Sequence, residues 1–317
     1  MHTDRYTKGP SDESRETRDM AQSTSTQKPP LRLIRHQRPM LAAIGRIALA
    51  AALPFGRPKA NPSSFLDEHR IIPAPAEELV DRYAAWSGAA DRYPLMLPAH
   101  MIAQWSIPLA TTILRQTRYN LATIINQGVA LRINGELPRG VPLHLGASIT
   151  HLEESDGWAR VSVSLTTGTE SDPAIVEAVL HSTFPLAGTS RARRASRPED
   201  NADWDTIGQW QASKNDGFKF AILTGDFNPI HWVGLAGRLS PFKTTVLQGF
   251  GMMARTFEVL NSAGPVDYVD VRFLKPVTLP SPPLTVQVHT SALNPHVRLV
   301  GSDSRLHLVG RYSYSLT

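Results

Sequence analysis

The chain has 317 residues, of which 41% are hydrophobic and 19% charged, a composition typical of a globular protein with one large core or two medium ones. It contains no cysteine, which excludes disulfides, thiolate nucleophiles and cysteine-ligated metal sites. The net charge of +5 is unevenly distributed, because residues 1–60 carry 11 Lys/Arg against 5 Asp/Glu and the rest of the chain carries 22 against 23. The basic charge therefore belongs to the N-terminal tail.

The tail, residues 1–60, has two parts. Residues 1–30 are polar and are predicted to be disordered. Residues 31–54 are basic and then apolar, but Arg46 leaves the apolar run too short to span a bilayer, and the run starts too far along the chain for a signal peptide. Two interpretations of residues 31–54 stay open: peripheral contact with a membrane surface, or a helix packed on the body of the protein or on a partner subunit. We expect a cytoplasmic protein.

The first half of the body predicts helices followed by strands. Helices are expected at Ala76–Trp86 and Ile107–Tyr119. Strands are expected at Val129–Leu137, Leu143–Leu152, Trp158–Thr167 and Ile175–Phe184. In the third strand, apolar residues alternate with polar ones, as in a strand with one buried face. A hairpin turn is expected at residues 155–157.

The second half repeats this order of elements. Residues 187–202 are small and basic, without an apolar period, and read as a solvated linker. Their arginines are not interleaved with aromatic residues, so no nucleic acid partner is expected. A helix is then predicted at Leu247–Leu260, with strands at Val266–Phe273, Pro283–Ser291, Arg298–Ser302 and Arg305–Ser315. The sequence thus predicts an α+β protein with two similar units, residues 61–186 and 203–317.

The run from Phe220 to His231 holds the candidate chemistry. Its apolar start is typical of the last turn of a buried helix, and Gly225 can take the left-handed conformation at that helix's end. Pro229 biases Asn228 away from the α conformation, so Asp226 and His231 are expected on a tight loop. There they can form an acid/base pair. The string Gly-Asp-Xaa-Asn-Pro is also dense in turn formers, and the alternative is a purely structural role, with Asp226 as an N-cap and His231 as a satisfied surface histidine.

The full run resembles the signature of the MaoC-like hydratase/dehydratase family, the (R)-specific enoyl-CoA hydratases of the hotdog fold. The positions that match it are Phe220, Leu223, Thr224, Gly225, Asp226, Asn228, Pro229, Ile230, His231 and, with looser spacing, Ala236. The resemblance implies a double hotdog, in which two antiparallel sheets each wrap around a central helix. It also implies that only the second hotdog carries the catalytic motif, and no Gly-Asp-Xaa-Asn-Pro string occurs in residues 1–200.

The resemblance further implies reversible hydration of trans-2-enoyl thioesters of coenzyme A or acyl carrier protein to (3R)-3-hydroxyacyl thioesters. Asp226 and His231 are then the catalytic dyad, and Asn228 orients the water or the dyad. Residues 246–253 resemble the family's second motif, which makes the backbone N–H of Gly249 the oxyanion donor at a helix start. Gln248 departs from the histidine that the family usually has there, which puts rate or substrate preference in question.

The expected substrate contacts are Gln248, Phe250, Met253, Phe257, Arg272 and Lys275. Met253 and Phe257, together with Met252 and Leu260, are expected to floor an acyl pocket, and Arg272 and Lys275 to contact the phosphates of coenzyme A. The last two lie in Val271–Val277, which resembles the family's Phe-Lys-Xaa-Pro strand; ordinary core packing and exposed edge charges are the alternatives. The remaining histidines have no ligand spacing, so neither a metal nor a cofactor is expected. A homodimer is expected. Two other functions stay open: a hotdog thioesterase, and a non-catalytic acyl-thioester-binding subunit.

Overall fold

The structure, a computed structural model, describes residues 30–52, 65–186, 203–289 and 295–315. The predicted disorder of residues 1–29 and the predicted linker at residues 187–202 lie outside these ranges. The second part of the tail is helical, with a 3₁₀ turn at Leu31–Gln37 followed by a helix, α1, at Arg38–Ala52. No helix in the described ranges is long and apolar enough to cross a membrane.

The described residues form ten strands, joined edge to edge in the order β1-β3-β4-β5-β2-β7-β10-β9-β8-β6 with every pair antiparallel. The strands are β1 Glu68–Ile72, β2 Ile125–Ile133, β3 Leu143–Ser155, β4 Trp158–Gly168, β5 Val176–Pro185, β6 Asp205–Trp210, β7 Val266–Phe273, β8 Leu284–His289, β9 His296–Gly301 and β10 Leu306–Tyr314. The eight predicted strands are confirmed, although β2 begins and ends earlier than predicted. The two terminal strands of the sheet, β1 and β6, were not predicted, because each pairs on one side only and neither alternates clearly between buried and exposed positions.

The other helices are α2 Glu77–Ser87, α3 Ala103–Leu114, α4 Asp216–Thr224, α5 Gly234–Leu239 and α6 Gly249–Ala263. The helix predicted at Ile107–Tyr119 begins and ends earlier, as α3. Helix α3 packs on β1, β3 and β4, and α6 packs on β6 and β7. Each half of the sheet therefore has its own central helix.

The two halves of the sheet meet at β2 and β7. Val129 lies opposite Val271 and Leu131 lies opposite Val269, and all four side chains are buried. In β4 the predicted inward face is confirmed, since Ala159, Val161, Val163 and Leu165 are all buried. The buried faces of both halves belong to one continuous hydrophobic core. Because burial of apolar area is the main favourable term in folding, the two halves stabilise one another.

Helix α6 carries a buried carboxylate, Glu258, that receives its hydrogen bonds from the N-terminal half. His100 Nε2 and the Tyr93 hydroxyl each donate to Glu258 Oε1 at 2.6 Å, and Arg92 pairs with Glu258 Oε2 at 2.9 Å. Burial alone raises the pKa of Glu258, but the hydrogen bonds from His100 and Tyr93 and the positive charge of Arg92 outweigh it and lower the pKa. The paired carboxylate therefore fastens α6 to the N-terminal half.

The same helix carries a buried cation, Arg255. Its guanidinium pairs with Asp216 at 2.8 Å and lies over the ring of Trp86, 4.3 Å from the centroid. Burial alone raises the pKa of Asp216, but Arg255 and the hydrogen bonds from Ser213 lower it. Since Asp216 is the first residue of α4, this ion pair fixes the start of α4 against α6.

The N-terminal helix packs on the body through one face. Leu33, Met40 and Ala43 are buried, and α1 lies against α3. The inner face of this segment therefore supports the second interpretation, a helix packed on the body of the protein. The outer face leaves Leu41 and Leu49 exposed.

Replacement of Glu258 by Gln is expected to lower the free energy of unfolding at pH 7 by about 3–5 kcal/mol, because it leaves Arg92 without its buried counter-charge. Because the pKa of Glu258 is lowered in the folded state, the wild type loses this stabilisation as the pH falls below about 4.3 and through the folded pKa. The free energy of unfolding of the variant should therefore change less with pH in this acidic range. Urea unfolding across pH measures both effects. Glu154→Gln, at an exposed pair with Arg118, should cost less than about 1 kcal/mol; equal losses in the two variants would contradict the assignment.

Candidate active site

The loop between α4 and α5 begins at a glycine that ends a buried helix. Gly225 has φ +86° and donates its N–H to Ala221 O at 2.7 Å, so the predicted left-handed end of the helix is confirmed. A side chain at this position is excluded for a second reason, since an added Cβ would lie 2.6 Å from Met40 Cβ. Glycine at 225 therefore turns the chain sharply into the next residue, Asp226, while the N-terminal helix lies directly on the turn.

Asp226 and Asn228 form two successive side-chain-to-backbone turns. Asp226 Oδ1 accepts from Asn228 N–H at 3.4 Å, and Asn228 Oδ1 accepts from Ile230 N–H at 3.3 Å. The second bond caps the 3₁₀ turn Pro229–His231, and Asn228 itself has φ −58° and ψ 122°, outside the helical region as predicted from Pro229. The side-chain oxygen of Asn228 thus holds the loop backbone, and the Asp226 carboxylate remains half-buried at the loop surface.

His231 is held in one orientation by a backbone carbonyl. Its Nδ1 lies 2.7 Å from Val246 O, and because a carbonyl only accepts, Nδ1 carries the hydrogen. In the neutral ring Nε2 is then the basic nitrogen. The Val246 N–H donates in return to Ile230 O at 3.3 Å, so the loop and the segment before α6 are joined from both sides. This arrangement presents a half-buried imidazole whose free nitrogen can take up a proton.

Gln248, the residue before α6, is fully buried and ties three elements together. Its Nε2 donates to Gly217 O in α4 at 3.0 Å and to Asp226 O at 3.2 Å. An amide nitrogen has two hydrogens for two carbonyls, whereas a histidine nitrogen has one, so the departure from the family's histidine has a structural consequence. Gln248 Oε1 is buried and has no hydrogen-bond partner within the described residues.

Gly249 is the first residue of α6, so its N–H has no acceptor within the helix and lies at the positive end of the helix dipole. A Cβ on Gly249 would lie 2.7 Å from the ring of Phe273. Glycine therefore allows Phe273 to pack directly against the helix start. An unpaired N–H at such a helix start is suited to binding an anionic oxygen.

The remaining predicted contacts lie on α6 and β7. Phe250 and Met253 are buried, and Phe250 packs edge-on against Phe273. Phe257 packs against His100 in the core, with ring centroids 5.0 Å apart. Arg272 is half-buried and pairs with its neighbour Asp270, whereas Lys275 is exposed. Hydrogen bonds thus bring together Asp226, Asn228, His231 and Gln248, next to Gly249, but the structure does not join Phe257, Arg272 or Lys275 to them in this way.

Two residues that the sequence analysis did not single out hold the loop in place. Gly217 lies so close to it that a Cβ would be 1.9 Å from His231 O. Trp232 donates from Nε1 to Phe227 O at 3.2 Å, and its ring packs on Phe218. Trp232 directly follows the motif and could have been suspected, but nothing in the sequence relates Gly217 to His231.

Two histidines away from the loop have backbone partners. His289 Nδ1 lies 2.8 Å from Asp203 O, and His307 Nδ1 lies 3.2 Å from the carbonyls of Lys275 and Pro276. Burial lowers the pKa of His307. In the part of the chain that the structure describes, no three histidine, aspartate or glutamate side chains are grouped closely enough to hold a metal ion.

Replacement of Gly217 by Ala should force His231 O away from α4 and destabilise the protein by about 1–3 kcal/mol, the usual cost of overpacking. Thermal unfolding measures the loss. Gly234→Ala is the matched control, since a Cβ there meets nothing within 4 Å, and it should be close to neutral. If both substitutions had the same effect, close contact between Gly217 and His231 would be refuted.

Comparison with known proteins supports the fold and the motif. Residues 192–296 match the family model described as a MaoC-like domain. Among solved structures, the chain is similar to HtdX of Mycobacterium tuberculosis (TM-score 0.63, 17% identity, covering 77% of this chain and 99% of that one) and to a MaoC-like dehydratase from Phytophthora capsici (TM-score 0.64, 15% identity, 81% and 99%).

It is also similar to Rv0216 of Mycobacterium tuberculosis, described as a double hotdog fold (TM-score 0.53, 14% identity, 82% and 98%). No curated protein matches the sequence. At these identities the structural likenesses establish the fold alone. The described residues therefore have a double hotdog fold, and residues 192–296 match the model of MaoC-like domains.

Proposed function

We propose that the protein catalyses the reversible hydration of trans-2-enoyl thioesters, of coenzyme A or acyl carrier protein, to (3R)-3-hydroxyacyl thioesters. The observation that carries the proposal is the fixed tautomer of His231. Its Nδ1–H is bound to Val246 O, which leaves Nε2 basic on the same short loop as the Asp226 carboxylate. The MaoC-like domain over residues 192–296 supports an acyl-thioester substrate.

Hydration places a hydroxyl on C3 and a hydrogen on C2. In the proposed reaction, a water lies between Asp226 and His231, and Nε2 of His231 takes its proton as the hydroxyl adds to C3. The electron pair of the double bond moves towards the thioester oxygen, where the N–H of Gly249 stabilises the negative charge. The proton is then delivered through the dyad to C2, which regenerates both groups. Asn228 contributes by holding the loop backbone that carries them.

The substrate contacts follow the same arrangement. We propose that Phe250 and Met253, on the first turns of α6, line the acyl pocket, with Phe257 further along the helix at its closed end. Arg272 and Lys275 are proposed to meet the phosphates of coenzyme A, which for Arg272 requires exchange of its contact with Asp270. Gln248 replaces the usual histidine and binds the carbonyls of Gly217 and Asp226, and the proposed oxyanion donor is a backbone N–H, which does not need a histidine at 248.

Asp226→Asn and His231→Ala should each abolish the loss of enoyl absorbance with crotonyl-CoA, because each removes one partner of the proton transfer, while thermal unfolding stays close to that of the wild type. His151→Ala, at an exposed histidine on β3, is the control and should keep full activity. Full activity in both loop variants would end the proposal.

Two other functions give different results in the same experiments. A hotdog thioesterase would release free coenzyme A thiol, which a thiol reagent detects and hydration does not produce. A non-catalytic acyl-thioester-binding subunit would bind acyl-CoA tightly without turnover. The second alternative is favoured by Gln248, whose amide nitrogen donates to two backbone carbonyls.

We also propose that the protein is cytoplasmic and that it forms a homodimer; sedimentation tests the dimer. We further propose that α1 contacts a membrane surface. The outer face of α1 exposes Leu41 and Leu49 alongside Arg38 and Arg46, and residues 30–52 contain no acidic side chain. Exposed apolar residues among basic ones on one helix face suit a surface of anionic lipid.

Leu41→Glu combined with Leu49→Glu should abolish co-sedimentation with vesicles that contain phosphatidylserine, because carboxylates on this face are repelled by anionic lipid. The matched control is Leu66→Glu with Leu95→Glu, which changes the charge equally at two exposed leucines elsewhere. Equal sedimentation of the two double variants, or none by the wild type, would refute membrane contact.

A further inference from the structure

The segment of residues 31–47, which we term the N-terminal brace, reaches the helix that leads into the candidate catalytic loop. Gln37 is fully buried, and its Nε2 lies 3.0 Å from both Ile222 O and Leu223 O. These carbonyls belong to the last turn of α4, where the helix has no N–H groups of its own to donate to them. A side chain from the far end of the sequence therefore satisfies the end of α4, just before Asp226.

The brace also lies directly on the turn. A Cβ on Gly225 would be 2.6 Å from Met40 Cβ and 3.1 Å from Gln37 Oε1, so backbone and brace are in close packing contact. Gln104 in α3 places its Nε2 3.5 Å from Gln37 Oε1, which orients the Gln37 amide with its nitrogen towards α4. The inner face of the brace is thus matched to one conformation of the turn at residues 225–226.

The brace is anchored on both sides of this contact. Arg32 donates to Glu78 of α2 at 2.6 Å, and Leu33 is fully buried in the main core. Further along, Ala43 is buried and α1 lies against α3. Because these anchors lie in the N-terminal half, they hold Gln37 at a fixed place relative to a loop in the C-terminal half.

We infer that Gln37 is a positioning residue for Asp226 and that the N-terminal brace is part of the active-site scaffold. Two buried glutamines then hold the catalytic turn from opposite ends: Gln248 binds the carbonyl of Asp226, and Gln37 binds the carbonyls just before Gly225. The inference rests on the proposed function, in which the Asp226 carboxylate meets the reacting water. The inference explains why the N-terminal brace, which is not part of the motif, packs so closely on the turn at residues 225–226.

The first test is Gln37→Met, which keeps the buried volume and removes the amide donors. We expect kcat for crotonyl-CoA to fall about 10- to 100-fold with little change in KM, since an error of about 1 Å in a catalytic group is enough for such a loss. Hydrogen exchange at residues 225–231 should become faster. The matched control is Gln116→Met, which removes two side-chain-to-backbone bonds with Leu66 and should leave kcat and exchange unchanged.

A second variant, Gln37→Glu, tests the hydrogen bonds by pH. Burial raises the pKa of such a carboxyl. When protonated it donates one hydrogen to the α4 carbonyls, and when ionised it is repelled by them. The ratio of variant to wild-type kcat should therefore rise as the pH falls, a change that loss of packing alone would not produce.

The inference would be overturned if folded Gln37→Met kept the kcat and the hydrogen exchange of the wild type. It would also be overturned if the ratio of Gln37→Glu kcat to wild-type kcat did not vary with pH. Its failure is distinguishable from failure of the proposed function. Absence of hydratase activity in the wild type would end the proposed function, while faster exchange at residues 225–231 in Gln37→Met alone would still support the bracing contact.

Discussion

The structure depends most on two buried charged side chains of α6, each of which is paired with groups outside that helix. Glu258 and Arg255 lie on the helix that one half of the sheet surrounds, yet Glu258 takes its hydrogen bonds from Tyr93, His100 and Arg92 in the other half. An unpaired charge at this depth would cost several kcal/mol. The helix therefore has one acceptable position relative to the N-terminal half.

The candidate site follows from that constraint. The start of α6 presents Gly249 and Gln248, so a helix fixed by Glu258 also fixes the proposed oxyanion donor and the amide that binds Asp226 O. Arg255 extends the same constraint to α4 through Asp216. The candidate catalytic loop, which starts where α4 ends, is thereby placed against α6 from both of its ends. This arrangement gives the half without the motif a clear role, because it supplies the groups that pair with α6.

The loop is held by side chains that donate hydrogen bonds to backbone carbonyls. His231 is oriented by Val246 O, and Gln248 and Gln37 each donate to two carbonyls around α4. The two amide donors place the loop without adding a charge beside the Asp226 carboxylate. Such an arrangement is preorganised, in the sense that the groups need not move when the reaction begins.

The sequence by itself determined the elements whose signals are local. The alternation in β4, the left-handed Gly225 before a loop, and the exclusion of helix at Asn228 by Pro229 all depend on neighbouring residues, and all are confirmed. The resemblance of the motif gave the fold class for the same reason, since the signature lies within one continuous run.

Only the tertiary structure decided which distant residues support that run. Gln37 lies 185 residues from Ile222, Glu258 is paired with residues of the other half, and Gly217 is required by the position of His231 O. None of these contacts leaves a periodic pattern or a spacing in the sequence, because each arises where two separately predicted elements pack together. The departure at Gln248 likewise acquires its meaning only from the two carbonyls that the fold brings to its side chain.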